Sequence, residues 1–456
     1  MKGIMVWVIL GLLLFLFGLS QVGAEEGTAL EERLSLLEKR MRTLEERNRH
    51  LESQLKRFQD SAPLQTAQRE EIAQIVKAQL IQEEALKDEG IKWSELISKD
   101  NRLKFYGFLR LDTIYHDSKP QHPQFTQWIQ AEDPTGKGNN DDEITLYPRL
   151  SRFGIDYSGP KVERLFGLDL GGKFEIDFQN GGTESRQIPR FRHAYLKLIR
   201  GDFAILAGQT WDTISPLFPT VNSDSLMWNT GNLGDRRPQL RLVYEPKIGP
   251  GQLSLMGGPA LSGAIDAKDL DNNGTRDGED AGLPNLQFRL GYSAPLWLKD
   301  RPASLGIWGL RGWEASLKRF ESYAYGLDLT LPFSPDLALR GELWRGRNLS
   351  DFRGGIGQGI QTTGRQEIDS MGGWAELVYR IAPWFTLAPG YTRDNPSDDD
   401  ITKGSRSKNW TLYLAHRFQL GGGFLIGLDY IYWKTEYKGL RDGDANRFNL
   451  FFQYDF

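Results

Sequence analysis

Residues 167–179 read GLDLGGKFEIDFQ. Leu168, Leu170, Phe174, Ile176 and Phe178 share one parity, and Asp169, Lys173, Glu175 and Asp177 share the other. A period of two is that of a β-strand with unlike faces. Four charges on one face require water there, and a large apolar side chain at most positions of the other requires its exclusion. The same alternation recurs in LKFYGFLRLDTIYHD (103–117), YAYGLDLTL (323–331), GFLIGLDYIYW (423–433) and RFNLFFQYDF (447–456). The last of these puts Phe448, Leu450, Phe452, Tyr454 and Phe456 in one stripe, which on a soluble protein would be an adhesive edge. Phe451 breaks the pattern and has no explanation at this level.

Alternation alone does not separate a soluble sandwich from a membrane barrel. The connections do. From residue 101 on, about 16 candidate strands can be counted by alternation and turn chemistry. Short connections at 158–160 (SGP), 200–202 (RGD), 245–251, 334–336 (SPD) and 421–423 (GGG) alternate with long polar ones near 117–145, 212–238, 262–284, 346–370 and 393–408. Short turns at one rim and long loops at the other are the pattern of a transmembrane barrel. A Lys or Arg on the lipid face at mid-membrane costs roughly 2–4 kcal/mol, so the charged parity must face a wet interior. The expected fold is therefore an all-β transmembrane barrel of about 16 antiparallel strands over 101–456, closed because an open edge in lipid leaves backbone groups unpaired.

The first hundred residues differ. Residues 1–24 combine Lys2, an apolar run from Ile4 to Leu19 and small residues Val22-Gly23-Ala24, the pattern of a cleaved secretory signal. In 25–62, Leu30, Leu34, Leu37, Met41, Leu44, Asn48, Leu51, Leu55 and Phe58 recur at spacings of 4 and 3 between charged residues, which predicts an N-terminal α-helical coiled coil and hence self-association. Residues 63–100 hold a weaker helical pattern, read as a helical linker.

Composition narrows the function classes. The chain has 456 residues, a formal net charge of -4 and no Cys. Nucleic acid is not the implied partner, and thiol catalysis, thiolate metal sites and disulfide scaffolds are excluded. The five His have no metal spacing, and neither His193 nor His416 has an obvious Ser or Asp partner for hydrolysis. GGIGQG at 354–359 lacks the Lys and the strand–helix setting of a phosphate loop. No enzyme chemistry is expected.

By parity Arg110, Asp112, Arg152, Asp156, Asp169, Lys173, Glu175, Arg241, Arg289, Arg340 and Glu342 face the interior, where rings of charge set which ions pass. Residues 210–242 hold a long loop stiffened by Pro216 and Pro219 that returns through Asp235-Arg236-Arg237 to Arg241. This loop is the expected constriction. Its guanidiniums suit carboxylate or phosphate, unless nearby acids neutralise them. In DLDNNGTRDGED, Asp269, Asp271, Asn273, Gly274, Asp277 and Asp280 occupy positions 1, 3, 5, 6, 9 and 12 of a calcium loop, although position 12 is Asp and strands flank it. Both a structural Ca2+ and a plain solvated acidic loop fit that pattern.

GFLRLDTIY (107–115), LYPRLSRFGIDYSGP (146–160), GGKFEIDFQNGGTESRQIPRFRHAYLKL (171–198) and LAGQTWDTISPLFPTVN (206–222) resemble the trimeric outer-membrane porins of the dicarboxylate-uptake (DcaP-like) type. The resemblance implies a homotrimer of 16-stranded barrels in the outer membrane of a Gram-negative bacterium, with the coiled coil in the periplasm. It also implies passage of small anionic solutes such as dicarboxylates. Arg110, Asp112, Arg152 and Arg192 are the lumen positions that match, whereas Arg236, Arg237 and Arg241 follow from charge and position. The terminal Phe456 resembles the signal read by barrel-assembly machinery. Outer-membrane lipid completes the expected partners. A sugar- or phosphate-specific porin, or a tether to the cell wall, are the alternatives.

Overall fold

The computed structural model describes residues 102–133, 135, 142–179, 188–221, 225–316, 318–361 and 366–456. The expected signal, coiled coil and linker lie outside them.

One antiparallel sheet contains 18 strand segments. Glu143–Tyr147 and Arg152–Val162 are two pieces of one wall strand, because both pair with Arg102–His116. Lys247–Ile248 extends Arg236–Tyr244 along the same neighbour. That leaves 16 wall strands. In chain order they are β1 (Arg102–His116), β2 (Glu143–Tyr147 with Arg152–Val162), β3 (Leu168–Asp177), β4 (Arg190–Arg200), β5 (Phe203–Trp211), β6 (Arg236–Tyr244), β7 (Gly251–Ala260) and β8 (Asn285–Ala294). Then follow β9 (Ala303–Ala315), β10 (Arg319–Pro332), β11 (Leu337–Arg347), β12 (Asp369–Ala382), β13 (Phe385–Pro396), β14 (Arg406–Gly421), β15 (Phe424–Tyr437) and β16 (Gly443–Asp455). Each pairs with the next, and β16 returns to β1 from Phe108↔Asp455 to His116↔Arg447. The barrel is closed, so no wall strand is left with an unpaired edge.

The two faces follow the parity of the sequence. Phe448 is 45% exposed on the outer face and Phe451 is 2% exposed inside. Phe451 is thereby explained: its ring lies under the Arg110 guanidinium at 3.6 Å and near that of Arg417 at 5.0 Å. It fits because β15 has Gly427 opposite, where an added Cβ would stand 2.0 Å from the ring. Phe451→Ala removes a packed ring and two cation–π partners, an expected loss of about 3–5 kcal/mol. Phe448→Ala on the outer face should cost far less. Urea unfolding of the two variants in detergent checks the difference, and equal midpoints would contradict this assignment of faces.

One expected boundary shifts. Ser158–Pro160 does not turn the chain. It is a bulged part of β2, with the register slipping between Ser158 and Lys161, and the turn follows through a 3-10 turn at Glu163–Leu165. Gly and Pro relax a strand locally as readily as they end it. The ambiguous segments 190–200 and 304–314 are both wall strands. The turns at 200–202 and 421–423 are as expected, the latter on three glycines of positive φ.

Candidate functional site

The long loops do not stand away from the barrel. Residues 212–221 and 225–235 lie across the lumen, fixed to the far wall by that wall's own inward side chains. The Leu217 amide donates to Glu342 Oε1 at 2.8 Å, and the Ser215 hydroxyl donates to the same carboxylate. The Thr220 amide and hydroxyl both donate to Glu376, at 2.9 and 2.8 Å. Arg340 donates to the Phe218 carbonyl at 2.6 Å, and Arg417 donates to that of Thr220. Trp344 Nε1 donates to the Gly231 carbonyl at 2.7 Å. Gly231, at φ +134°, presses so closely on β12 that a Cβ would stand 2.3 Å from the Gly373 carbonyl oxygen. Trp308, Trp344 and Trp374 are all buried beneath the infolded loops. They pack those loops and form no sugar-binding ladder.

A second loop, 348–361, also turns inward. Gly234 and Asn229 donate backbone bonds to Phe352 and Arg353 of this loop, at 2.9 and 2.7 Å. Arg237 locks the two together. It is fully buried, with Nε on Asp212 Oδ1 at 2.7 Å, Nη1 on Asp351 Oδ2 at 2.6 Å and Nη2 on the Asp351 carbonyl at 2.7 Å. The expectation that Arg237 lines the pore is corrected by this burial. It is a structural clamp whose three nitrogens are all hydrogen-bonded. Burial holds the Asp351 carboxyl above the usual carboxylate range, with Arg237 opposing.

The other arginines cluster on and beside the near wall, Arg152, Arg190 and Arg353 partly exposed and Arg192 and Arg236 buried. Glu175 Oε1 accepts Arg192 Nε at 2.6 Å and has Arg152 Nε at 3.5 Å. Asp177 accepts Arg192 and Arg190, at 2.7 and 2.8 Å. Arg236 sits beside Asp235 at 3.3 Å and over the Trp211 ring at 4.3 Å, while Arg353 reaches the other oxygen of Asp235 at 2.8 Å. Burial raises the Asp235 carboxyl, but Arg353 and Arg236 more than reverse that, holding it below the usual range. Five guanidiniums thus share three carboxylates. Arg152 Nε and Arg236 Nη1 have no hydrogen-bond partner among the described residues. Arg241 bonds only neutral oxygens, Gln239 Oε1 at 3.0 Å and the Trp211 carbonyl. Trp211 and Phe218, with centroids 4.5 Å apart, give the positive patch an apolar flank.

Other expected lumen residues face inward but are neutralised. Arg110 grips Asp112 with both ends of its fork, at 2.8 and 2.7 Å. Arg289 does the same to Asp328, at 2.8 and 2.6 Å. Lys173 pairs with Asp156 at 2.8 Å. Sequence reasoning missed Arg190 and Arg353. Arg190 opens a segment whose alternation is blurred, and Arg353 lies in a loop with no period to place it.

The acidic loop is met in part. Asp269, Asp271 and Asp277 bring carboxylate oxygens within 4.8 Å of one another, the one such group among the described residues. Asn273 and Asp280 instead bond each other, Nδ2 to Oδ2 at 2.6 Å, and Asn273 Oδ1 accepts from the Thr275 amide. The donor set for a hard cation is three carboxylates, not the five side chains expected. Burial and the neighbouring carboxylates raise Asp277.

No protein-family model and no curated protein matches the chain. Among solved structures, the outer membrane channel DcaP of Acinetobacter baumannii is similar over 79% of this chain and 99% of its own, at TM-score 0.64 and 19% identity. An anion-selective porin from Comamonas acidovorans is similar over 78% and 100%, at TM-score 0.52 and 12% identity. These likenesses establish the fold as that of porins and channels.

Proposed function

We propose that the chain is an outer-membrane porin for passive diffusion of small hydrophilic anions, with dicarboxylate-like solutes as the preferred class. The observation that carries this reading is the surplus of guanidinium over carboxylate where the 212–235 loop narrows the lumen: Arg152, Arg190, Arg192, Arg236 and Arg353 against Glu175, Asp177 and Asp235. An anion entering this patch meets more guanidinium than carboxylate charge, with Arg152, Arg190 and Arg353 its partly exposed members. Two carboxylates on one solute can engage separate guanidiniums, as bidentate forks favour. The likeness in fold to an anion-selective porin and to DcaP supports the same reading. Flux needs no catalysed step, because a concentration gradient drives it. Self-association belongs to the same proposal and rests on the heptads; its trimeric form and the periplasmic place of the coiled coil rest on the resemblance to DcaP-like porins.

Reversal potential in a salt gradient across a planar bilayer tests it. The expected sign is that of chloride preference, with succinate reducing chloride current at concentrations where neutral sugars do not. Strong cation preference would overturn the anion reading, and a purified barrel that inserts without current would overturn the porin reading. Phosphate blocking better than succinate would move the solute class to phosphate.

A further inference from the structure

On the outer wall, four cations near the long-loop rim are paired with acids. Arg311 holds Glu321 at 2.8 Å, Arg347 holds Asp369 at 2.5 Å, Lys408 holds Glu436 at 2.5 Å and Lys434 holds Asp442 at 3.2 Å. Arg345 on β11 makes no hydrogen bond or ion pair with a described residue. Arg393 on β13 has only the neutral Asn395 Oδ1, at 2.8 Å. Both are exposed. Each lies two or three residues inside its strand end, level with exposed Tyr325, which pairs with Arg345, and with Trp410, which pairs with Arg393. Aromatic side chains at this height mark the membrane–water boundary of a barrel. The two arginines are two strands apart, about 10 Å laterally, within reach of a single headgroup.

Directly adjoining them the wall is hollow. A groove of 510 Å³ runs over Gly341, Gly373 and Ala375, where no side chain is longer than a methyl group, between banks formed by Leu343, Met371 and Tyr391. Arg393 stands at its margin. An unpaired guanidinium beside hydrocarbon is costly, and four neighbouring rim cations have acids of their own. An apolar trough with two unpaired guanidiniums at its head matches a molecule that carries a phosphate at one end and an acyl chain at the other.

We propose that this groove on β11–β13 binds a phosphorylated outer-leaflet lipid, its phosphate on Arg345 and Arg393 and one acyl chain over Gly341, Gly373 and Ala375. This goes beyond the solute path, since the groove lies on the face opposite to the lumen. The lipid acts as a structural partner of the β11–β13 wall, to which the 212–235 loop is fastened from inside.

The test uses the purified full chain in detergent with diphosphoryl lipid A, dephosphorylated lipid A and inorganic phosphate, read as lipid adducts by native mass spectrometry and as a shift in unfolding temperature. Diphosphoryl lipid A should bind and stabilise, and dephosphorylated lipid A should bind more weakly. Arg345→Gln with Arg393→Gln should weaken binding roughly thirtyfold, the effect of removing two basic side chains from an anionic lipid. Arg345→Lys with Arg393→Lys should retain part of it. Ala375→Trp should block the acyl site while leaving both arginines. Equal binding by wild type and the Gln pair, or inorganic phosphate competing the lipid away, would overturn the proposal. So would a disulfide between two copies through Arg345→Cys, because the groove would then be covered by another protomer. Variants are compared only where their heat-modifiable migration is that of a folded barrel.

Discussion

Replacing Arg237 with methionine should loosen the channel, and replacing its neighbour Arg236 should not. Arg237 is wholly buried, and its guanidinium binds Asp212, Asp351, the Asp351 carbonyl and the Leu261 carbonyl. Asp351 also accepts the amides of Gly263 and Ile265, at 2.9 and 2.8 Å. Asp212 also accepts Gln287 Nε2 at 2.7 Å. One guanidinium thus ties together the root of the 212–235 loop, the 261–265 segment and the 348–361 loop. Removing one partner of a buried pair leaves uncompensated charge, at a cost of about 3–5 kcal/mol. Most of that should fall on the loop assembly, because the wall ladder of β6 is untouched. The expected readouts are larger, flickering single-channel conductance and new protease cuts within 348–361.

The pH dependence has a definite sign. Asp351 already sits above the usual carboxylate range through burial, and losing Arg237 raises it further. A carboxyl whose folded pKa is raised takes up a proton on folding, so stability falls as pH rises from the unfolded value through the folded one. The variant should therefore be most defective in alkaline medium and closer to wild type in acid. Arg237→Met combined with Asp212→Asn and Asp351→Asn should recover much of the loss, since an intact neutral cluster replaces a broken ionic one. A triple variant no better than Arg237→Met alone would contradict the clamp.

Sequence reading succeeded where one residue's neighbours decide its surroundings. Along a strand that separates lipid from water, every second residue changes solvent, and the sequence shows that change directly. The parity of Asp169, Lys173, Glu175 and Asp177 therefore places them inside without knowledge of the rest of the fold. Pairing is a different matter. Whether Arg237 is a pore charge or a clamp depends on Asp351, which lies 114 residues away. Whether Arg110 is free or neutral depends on Asp112, two residues away on the same face, and that pair is visible in sequence. Phe451 departs from parity because parity separates wet from dry, and a ring between guanidiniums belongs to a third environment that β1, β14, β15 and β16 together create. The constriction loop was located from its length and prolines. Its path was not, because the wall carboxylates that fix it, Glu342 and Glu376, come more than 120 residues later.

The double variant Arg152→Gln with Arg236→Gln should abolish anion preference while leaving the barrel intact. Both side chains carry charge beyond what the three carboxylates neutralise, and Arg152 Nε and Arg236 Nη1 hydrogen-bond no described residue. Their removal leaves Arg190, Arg192 and Arg353 with Glu175, Asp177 and Asp235, a balanced set in which every carboxylate keeps a close partner. No acid is stranded, so the destabilisation that follows Arg237→Met is not expected. Each unit charge near contact distance in a wet lumen contributes on the order of 1 kcal/mol to the free energy of a passing ion. Losing two should lower anion occupancy on the order of thirtyfold. The reversal potential should then collapse towards zero. Screening sets the condition of measurement: the Debye length is about 10 Å at 0.1 M salt and about 3 Å at 1 M, so the contrast must be sought in dilute electrolyte. Single-channel conductance at high salt should change little, which separates loss of charge from loss of the loop. If selectivity survives this variant in dilute salt, the anion filter lies elsewhere, and Arg340 and Arg417 on the opposite wall become the next candidates.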